Sequence, residues 1–478
     1  MKDLNVYKKE IFRRGEERLK KRKAVRRRVL FVCLPLLLCG VIVGSVLLHP
    51  YLTDRGVVTT PASDPWATAR LVTICSAKDG LTPGEIVNLM AGVQGTTRTA
   101  TVDLTAGHAA AADFAVRLLQ ASLREGNNTL IAPLSALMAL GMTANGAAGE
   151  TRAQMAATLG MSIEEWNDYM AAARALFAST DDVTFETCNS LWIDGREDFA
   201  VDADFLQTNA DCYDADAFWI PAGQSMADAV NAWVAEKTNG RITRIAEEPD
   251  GSTWISLVNA LYFETDWETE WLSVDEGDFY RLDGIAVKVD MMRSEETVAL
   301  RNETGTIAGF AKYYCGGEYA FAALKPGWSF MEGATNYRNV KELLAALTGE
   351  ELAAIWQNRY ETAEPFEVCM PKFSIACDLS LKEALCAMGM PIAFDGENAD
   401  FSGIGRFGEH DTHEISEVRQ KTALAADVNG TVGSAATQVD VFDDPDHNII
   451  LNCPFFYMIV HVESGVPIFM GIMLDPTA

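Results

Sequence analysis

Hydrophobic and polar positions change their spacing several times along this chain of 478 residues. Residues 112–119 place apolar side chains at helical spacing, and the apolar residues 134–141 predict a buried helix. Residues 256–263 and 455–460 are dense apolar runs with the length of a central strand. Helices and strands are interspersed without a regular strand–helix–strand repeat, so we predict an α+β domain rather than a doubly wound sheet.

Residues 431–442 alternate with the period of a strand that has one buriable face. The Gly, Ser and Ala residues in the first half of this segment favour a mobile loop instead, so we predict a segment that can adopt both states. Residues 443–446, three aspartates around a proline, should lie in water. The positions of one face are uncharged and small or β-branched: Thr431, Gly433, Ala435, Thr437, Val439 and Val441.

Residues 29–48 contain no charge and would span about 30 Å as a helix, which is one bilayer crossing. Thirteen basic and four acidic residues precede this run, so residues 1–28 should form a cytoplasmic tail and the rest should lie outside the cytoplasm. A cleaved signal peptide is the alternative, but its apolar core is usually shorter, and no A-x-A site follows. Leucine before Cys39 also differs from a bacterial lipoprotein cleavage site. We favour an uncleaved anchor.

The net charge of the chain also changes sign at residue 28. The whole chain has 39 basic and 67 acidic residues, and the part after residue 28 carries a net charge of −37. This acidity favours solubility and cationic partners and disfavours nucleic acid. The mixed composition of residues 49–105 predicts a stalk with little structure of its own, apart from a short helix over 81–91. A globular domain is predicted from 106 to 478.

The ten cysteines have no spacing typical of a zinc site. An external domain permits disulfides, yet Cys369 and Cys453 lie in strand-like runs where a free thiol packs as a small hydrophobic group. We therefore expect mostly free cysteines.

Catalytic motifs are also missing. His410 and His413 have a loose metal-ligand spacing, but no further ligand cluster accompanies them, so a polar surface loop is the preferred interpretation. There is no glycine-rich nucleotide loop and no Gly-x-Ser-x-Gly motif. We predict no metal, no cofactor and no enzymatic activity.

Several motifs, in order, resemble those of the serpin family. Residues 415–437 and 452–456 are similar to the reactive-centre loop and its flanking strands. Together with the other blocks, they cover roughly residues 106–478, and their common order makes chance similarity very improbable. The other blocks are 132–135, 149–155, 231–240, 259–263 with Trp267, 370–373, 399–404 and 467–471.

The resemblance implies three β-sheets, about nine helices and an exposed reactive-centre loop. It also implies a mechanism in which a protease cleaves the loop, stays attached as an acyl-enzyme, and is displaced as the loop inserts into the main sheet. This insertion is a standard example of strand addition. The implied hinge comprises Gly430, Thr431, Val432, Gly433, Ser434, Ala435, Ala436 and Thr437.

Four residues match the region in which the serpin main sheet opens: Ser135, Asn259, Trp267 and Gln420. For Trp267, as for Trp233, plain core packing is compatible with the family's role. The chain departs from the family at Ala132, commonly serine, and at Gln420, where histidine is frequent. Val428 and Val432 also replace glutamates near the hinge. A charge or proline on the inward face would stall insertion, and none occurs from residue 431 to 441.

The position of the cleaved bond stays open. Counting 15 positions from Gly430 places it after Asp444, whereas counting back from residue 452 places it after Asp443. Cleavage before Pro445 would be refused by most serine proteases. The bond between Asp443 and Asp444 would suit an enzyme that prefers acidic side chains, whereas cleavage after Phe442 would suit a chymotrypsin-like enzyme. Acidic residues that only solubilise the loop are a further interpretation.

Two classes of function follow. The first is a monomeric, membrane-tethered inhibitor of serine, or also cysteine, proteases outside the cell. The second is a non-inhibitory serpin-like binding or adhesion protein that proteases merely cleave. The alanine-rich, anchored architecture suggests a bacterial source.

Overall fold

The computed structural model describes residues 71–74, 86–96, 103–177, 179–195, 199–221, 223–238, 240, 244–246, 255–331, 335–407, 414–428 and 448–478. The anchor 29–48, the histidine pair at 410 and 413, and the whole of 429–447 lie outside these ranges. No helix within them is long and apolar enough to cross a membrane.

Nine α-helices occur in the described residues. Both predicted helices are confirmed, and each is the middle of a longer one. The first begins where the Asp103 carboxylate accepts from the amide of Thr105 at 3.0 Å, and the second begins at a proline and is buried throughout. In chain order they are α1 Leu104–Ser122, α2 Pro133–Ala144, α3 Gly149–Leu159, α4 Ile163–Ala173, α5 Ala203–Tyr213, α6 Met226–Lys237, α7 Val340–Ala346, α8 Gly349–Gln357 and α9 Lys382–Ala387.

Eighteen strands are described, and the predicted strands at 256–263 and 455–460 are two of them. They are β1 Leu71–Ile74, β2 Val87–Asn88, β3 Thr129–Ile131, β4 Val183–Gly195, β5 Phe199–Asp202, β6 Ala215–Pro221, β7 Ile255–Thr265, β8 Ser273–Tyr280, β9 Ala286–Arg301, β10 Ile307–Tyr313, β11 Tyr319–Pro326, β12 Tyr360–Pro371, β13 Phe373–Ser380, β14 Gly405–Phe407, β15 Arg419–Ala426, β16 Ile449–Ile450, β17 Phe455–His461 and β18 Pro467–Met473.

The largest sheet has nine strands in the order β16-β12-β9-β10-β11-β17-β18-β3, with β8 also paired to β9. Every residue of β17 and β18 is buried, so these strands are central to the core. Gly471 lies where a Cβ atom would be 2.5 Å from the Tyr457 hydroxyl and 2.6 Å from the Thr129 carbonyl oxygen. The glycine is therefore required for the close approach of β18 to its neighbours.

The remaining strands form three smaller ladders, β1-β5-β14, β2-β6-β4-β7 and β13-β15. This mixture of helices and sheets agrees with the predicted α+β class. The four ladders exceed the three expected sheets because no hydrogen-bonded ladder joins β7 to β15 in the described residues.

Two parts of the predicted stalk differ from expectation. Residues 71–74 pair with β5, and residues 87–88 pair with β6, so both segments add strands to the folded unit. The short helix predicted over 81–91 is wrong at its C-terminal half, where a strand and a turn occur. Pairing with an existing sheet satisfies the backbone of these short segments better than an isolated helical turn would.

Seven described cysteines take part in no disulfide, in agreement with the prediction. Burial raises the pKa of Cys188 and of Cys369 to about 11, so both are protonated near neutral pH. The seven are Cys188, Cys212, Cys315, Cys369, Cys377, Cys386 and Cys453.

Candidate strand-insertion site

The predicted reactive loop lies outside the described residues, but both of its flanks are described. On the N-terminal side, β15 ends at Ala426 and the chain continues to a half-buried Val428. On the C-terminal side, the chain resumes at Asn448 and forms β16, which pairs in parallel with β12 of the nine-stranded sheet. The loop therefore connects two different sheets. No contact is described for the predicted hinge or for Phe442, Asp443, Asp444 and Pro445.

Within the described residues, strands β7 and β15 are edge strands, each paired along one side only. β7 pairs with β4 along its whole length, and β15 pairs with β13 along its whole length. Near the start of α2, the Ser135 hydroxyl donates to the Asn259 side chain of β7, and the Gln420 side chain of β15 contacts Ala132. The two strands thus meet the same helix start without a described ladder between them, and this break between the two ladders is called the gap below.

The direction of the two edge strands follows from contacts at their ends. Asn259 and Gln420 meet the same helix start, and the indole of Trp267, just after β7, donates to the Asp427 carbonyl, just after β15, at 2.7 Å. β7 and β15 therefore run parallel to each other. A segment that turns back after Val428 and enters the gap would be antiparallel to both, the arrangement in which a tight return is sterically simplest.

The gap leaves apolar side chains incompletely covered. Leu257, Leu261 and Phe263 occupy alternate positions of β7, pack against the main core, and are only half-buried, as is Leu424 of β15. The intervening Val258 and Ala260 are buried in a second cluster beneath α6. A strand with small uncharged residues on one face would cover the exposed apolar strip.

Polar side chains cross the middle of the site in a continuous series. The Asn259 amide donates to the Asn189 side chain of β4, whose own amide donates to the Tyr213 carbonyl at 2.9 Å. Asn189 and Ser135 are buried, so each of these groups needs its partner. The sequence interpretation included Ser135 and Asn259 but missed Asn189. A polar residue at a buried position of the β4 alternation was the available signal.

The side chain of Gln420 compensates for both departures from the family pattern, which are Ala132 in place of serine and Gln420 itself in place of histidine. Its carboxamide accepts from the Ala132 amide and donates to the Ala132 carbonyl, each at 2.9 Å. A side chain with both a donor and an acceptor therefore pairs with backbone where Ala132 lacks a hydroxyl. Two residues along, the Thr422 hydroxyl donates to the Leu130 carbonyl at 3.0 Å. The site places Ser135, Asn259, Gln420 and Trp267 around one gap, and their role in its opening stays a prediction.

Trp267 closes the upper end of the gap, defined here as the end at Asp427. Its ring is 5% exposed and stacks on Tyr314 with a centroid distance of 4.4 Å and an interplanar angle of 12°. It also meets the edges of Trp271 and Phe321, each at 6.0 Å. Trp233, by contrast, packs edge-on to Trp192 in the second cluster and donates to Asp216 at 3.0 Å. Both tryptophans are core residues, and Trp267 also holds a backbone group across the gap.

No group of three or more His, Cys, Asp or Glu side chains with metal-binding geometry occurs in the described part of the chain. The Nδ1 atom of His461 lies 2.9 Å from the Ser464 hydroxyl, but that hydroxyl also accepts from the Val466 amide at 3.2 Å. This pair therefore closes the turn after β17. Burial lowers the pKa of His461, which favours the neutral imidazole.

Comparisons with family models, with known sequences and with solved structures agree with one another. The family model described as "Serpin (serine protease inhibitor)" matches residues 109–476. Serpin A3-1 of Bos taurus is 28% identical over 388 residues, which are 78% of this chain and 90% of the relative. The structure of the thermophilic serpin tengpin in its native state has a TM-score of 0.72 at 33% identity and covers 82% of this chain and 99% of its own.

The same relative in its latent state gives a TM-score of 0.64 at 32% identity, with coverage of 77% and 97%. The fold thus lies nearer to the native form than to the latent one. With a family model that spans most of the chain, and with the gap, its polar contacts and the flanks of the loop in place, this protein belongs to the serpin family.

Proposed function

We propose that this serpin inhibits serine proteases outside the cytoplasm as a suicide substrate, with loop cleavage, acyl-enzyme trapping and loop insertion between β7 and β15. The observation that supports this most directly is the gap between two parallel edge strands, with half-buried Leu257, Leu261 and Phe263 along one side. The chain that leaves β15 at Val428 is the segment nearest in sequence to that gap.

The proposed driving force is the pairing of two unpaired strand edges together with apolar burial. An inserted segment as long as the eight-residue β15 would form roughly a dozen backbone hydrogen bonds along the two edges, at about 1 kcal/mol each. The total of about 10 kcal/mol is comparable to the stability of a whole domain. Insertion would then be strong enough to displace and distort an attached protease.

The chemistry belongs to the protease, because the serpin supplies only the peptide bond. The protease serine attacks the carbonyl carbon of the cleaved bond, the new amine leaves with the β16 side of the loop, and the ester keeps the protease on the β15 side. Insertion of the β15 side carries the protease away from its starting position before water can hydrolyse the ester. We propose Phe442, Asp443 or Asp444 as the residue that forms the ester.

The decisive experiment incubates the protein with elastase-like, chymotrypsin-like, subtilisin-like and acid-preferring proteases, followed by denaturing gels and mass spectrometry. We expect an SDS-stable complex and a released fragment that begins at residue 443, 444 or 445. Complete cleavage without complex, with every protease, would contradict inhibition.

A matched pair of variants tests the inward face. Ala435→Glu places a charge on the face that would be buried, whereas Ala436→Glu places it on the outward face. We expect the first variant to be cleaved with loss of most of the complex, because burying an unpaired charge opposes insertion. The second should form complex as the parent does. Equal loss in both variants would contradict the assigned register.

A second candidate, a binding or adhesion protein that proteases merely cleave, is favoured by one observation. Val428 packs against the main core where the family commonly has glutamate, so we infer that insertion of the loop would have to disturb this contact. If this function is correct, cleavage of the loop leaves thermal stability unchanged.

We also propose that residues 29–48 anchor the protein in the membrane with residues 1–28 in the cytoplasm. The apolar length and the basic flank support this orientation. Protease treatment of intact cells should remove the domain and leave an N-terminal fragment of about 5 kDa in the membrane fraction. A mature N-terminus at or beyond residue 39 would contradict an uncleaved anchor.

A further inference from the structure

Lys312 of β10 is a buried lysine next to the upper end of the gap. Its side chain has 0% exposure, and its ammonium group lies 2.5 Å from the Glu296 carboxylate, which is 10% exposed. The same ammonium donates to the Thr269 hydroxyl at 2.9 Å and to the Ser294 hydroxyl at 3.0 Å. All three N–H donors therefore have partners, which is the condition under which a charge tolerates burial.

Two tryptophan rings complete the surroundings of this ammonium group. It lies 5.0 Å from the ring centroid of Trp271 and 5.9 Å from that of Trp267, within the range of a cation–π interaction. The indole nitrogen of Trp271 is buried without a hydrogen-bond partner. Trp271 is thus held by packing and by the cation, and Trp271 in turn supports the edge of Trp267.

The contacts lead from the ion pair to the gap. Trp267 is fixed by Tyr314 on one side and by the Lys312–Trp271 pair on another, and its indole holds the Asp427 carbonyl. Asp427 directly follows β15. A shift of Trp267 by one ångström would weaken the 2.7 Å bond across the gap, since hydrogen bonds lose energy steeply with distance and angle.

Fold stability alone explains the ion pair poorly. A buried ion pair is often replaceable by apolar residues of similar volume without loss of stability, so the pair is weak evidence of a role in stability. Burial lowers the pKa of Lys312, while the carboxylates of Glu296 and Glu268 oppose that shift. The alternative is a role in positioning the two rings that its ammonium group contacts.

We propose that Lys312, paired with Glu296, is a positioning residue for strand insertion: it fixes Trp267 over the Asp427 carbonyl and so sets how readily the gap between β7 and β15 opens. Its consequence for protease inhibition rests on the function proposed above, whereas its effect on the gap does not.

Hydrogen exchange on the full chain tests the effect on the gap. Lys312→Met with Glu296→Leu removes both charges at similar volume, so neither charge is left without its counterion. We expect amides of β7 and β15 to exchange about 5- to 30-fold faster, the factor that corresponds to one lost tertiary hydrogen bond. Amides of β17 and β18 should exchange as in the parent. Unchanged exchange in β7 and β15, or equal acceleration in all four strands, would overturn the proposal.

A control pair lies on the same strand as Glu296. Arg293 of β9 forms an ion pair with Glu367 of β12, and neither contacts Trp267. Arg293→Met with Glu367→Leu should leave exchange in β7 and β15 unchanged. If this control accelerates exchange as much as the Lys312 pair does, the effect is a general one of removing charges from the sheet, and the proposal fails.

A second variant tests the route through the indole. Trp267→Phe keeps an aromatic ring but removes the N–H donor, so it should accelerate exchange in β7 and β15 by itself. Adding the Lys312 and Glu296 substitutions to Trp267→Phe should then give no further acceleration, because coupled residues are not additive. Additive effects would overturn the assigned route.

Protease titration separates this inference from the proposed function. If the parent forms stable complexes, the Lys312–Glu296 variant should change the ratio of complex to cleaved serpin by at least about threefold, without a matching change in the rate of first encounter. An unchanged ratio would overturn the link to inhibition. If the parent forms no complex at all, the proposed function fails, and the exchange result alone decides the role of Lys312.

Discussion

The nine-stranded sheet and the sheet around the gap use the same kind of strand in opposite ways. In the first, β17 and β18 are buried along their whole length and each has a paired strand on both sides, so most of their backbone groups pair within the sheet. In the second, β7 and β15 are each paired on one side only within the described residues, and contacts around the gap come from side chains of Asn259, Gln420 and Trp267. The difference separates a permanent scaffold from a sheet that can still accept a strand.

Cleavage of the loop should remove this difference in strand pairing between the two sheets. We expect it to change the free energy of unfolding more than any of the substitutions below. Once residues after Val428 can enter the gap, both sheets become fully paired, and the free energy of unfolding should rise by about 10 kcal/mol. The melting temperature measured by calorimetry should then increase by more than about 10 °C. A cleaved protein that melts at the parent's temperature would show that the gap does not accept the loop.

Truncation of a buried side chain in the nine-stranded sheet should lower the free energy of unfolding by several kcal/mol. Phe456 of β17 is fully buried, so Phe456→Ala should lower the free energy of unfolding by about 3–5 kcal/mol. The loss should be similar in the intact and the cleaved protein, because β17 is paired alike in both. Urea unfolding of both forms measures this, and a loss confined to the intact form would place Phe456 in the moving part.

Truncation of a side chain at the gap should lower the free energy of unfolding by less than truncation in the nine-stranded sheet. The loss should also differ between the intact and the cleaved protein. Asn259→Ala removes the partner of the Ser135 hydroxyl and of the Asn189 side-chain oxygen, which should destabilise the intact protein by about 1–3 kcal/mol. Amide exchange in β7 and β15 should accelerate, while exchange in β17 stays unchanged. Val258→Ala, on the opposite face of β7, is the control. It should destabilise without this selective acceleration.

A modest pH dependence should arise in the scaffold. Burial lowers the pKa of His461 in the folded protein, so the unfolded chain binds this proton more readily. The contribution of neutral His461 to stability is therefore fully present above the ordinary histidine pKa of about 6.5. It is lost as the pH decreases through the lower pKa of the folded protein. Urea midpoints at pH 8 and pH 5 should differ less in His461→Gln than in the parent. His108, whose pKa burial also lowers, should supply part of the remaining slope.

Local pattern was sufficient for elements with a strong period or continuous burial. The helices around residues 112–119 and 134–141 and the strands around 256–263 and 455–460 are all present. The pattern failed in the described part of the helix predicted over 81–91, where the two-residue strand 87–88 pairs with β6. So short a strand is stabilised by its pairing with β6, in which Asn88 lies opposite Phe218. No local pattern in the sequence encodes a pairing between segments this far apart.

For the site, the motifs identified Ser135, Asn259, Trp267 and Gln420 but not what each one contacts. Asn189 and the Lys312–Glu296 pair were missed, since a polar residue within an apolar run has no visible partner in the sequence. Residues 294 and 312 are brought together by the β9–β10 ladder, and Trp267 is added by the stack on Tyr314.

The sequence by itself determined the family, the α+β class, the uncharged alternate positions from residue 431 to 441 and the absence of catalytic motifs, because these depend on residue type and order. Only the tertiary structure decided that β7 and β15 run parallel with no described ladder between them, and that the Trp267 indole donates to the Asp427 carbonyl just after β15. Those properties depend on which distant segments share the start of α2, and contacts between distant segments are not encoded in any local pattern.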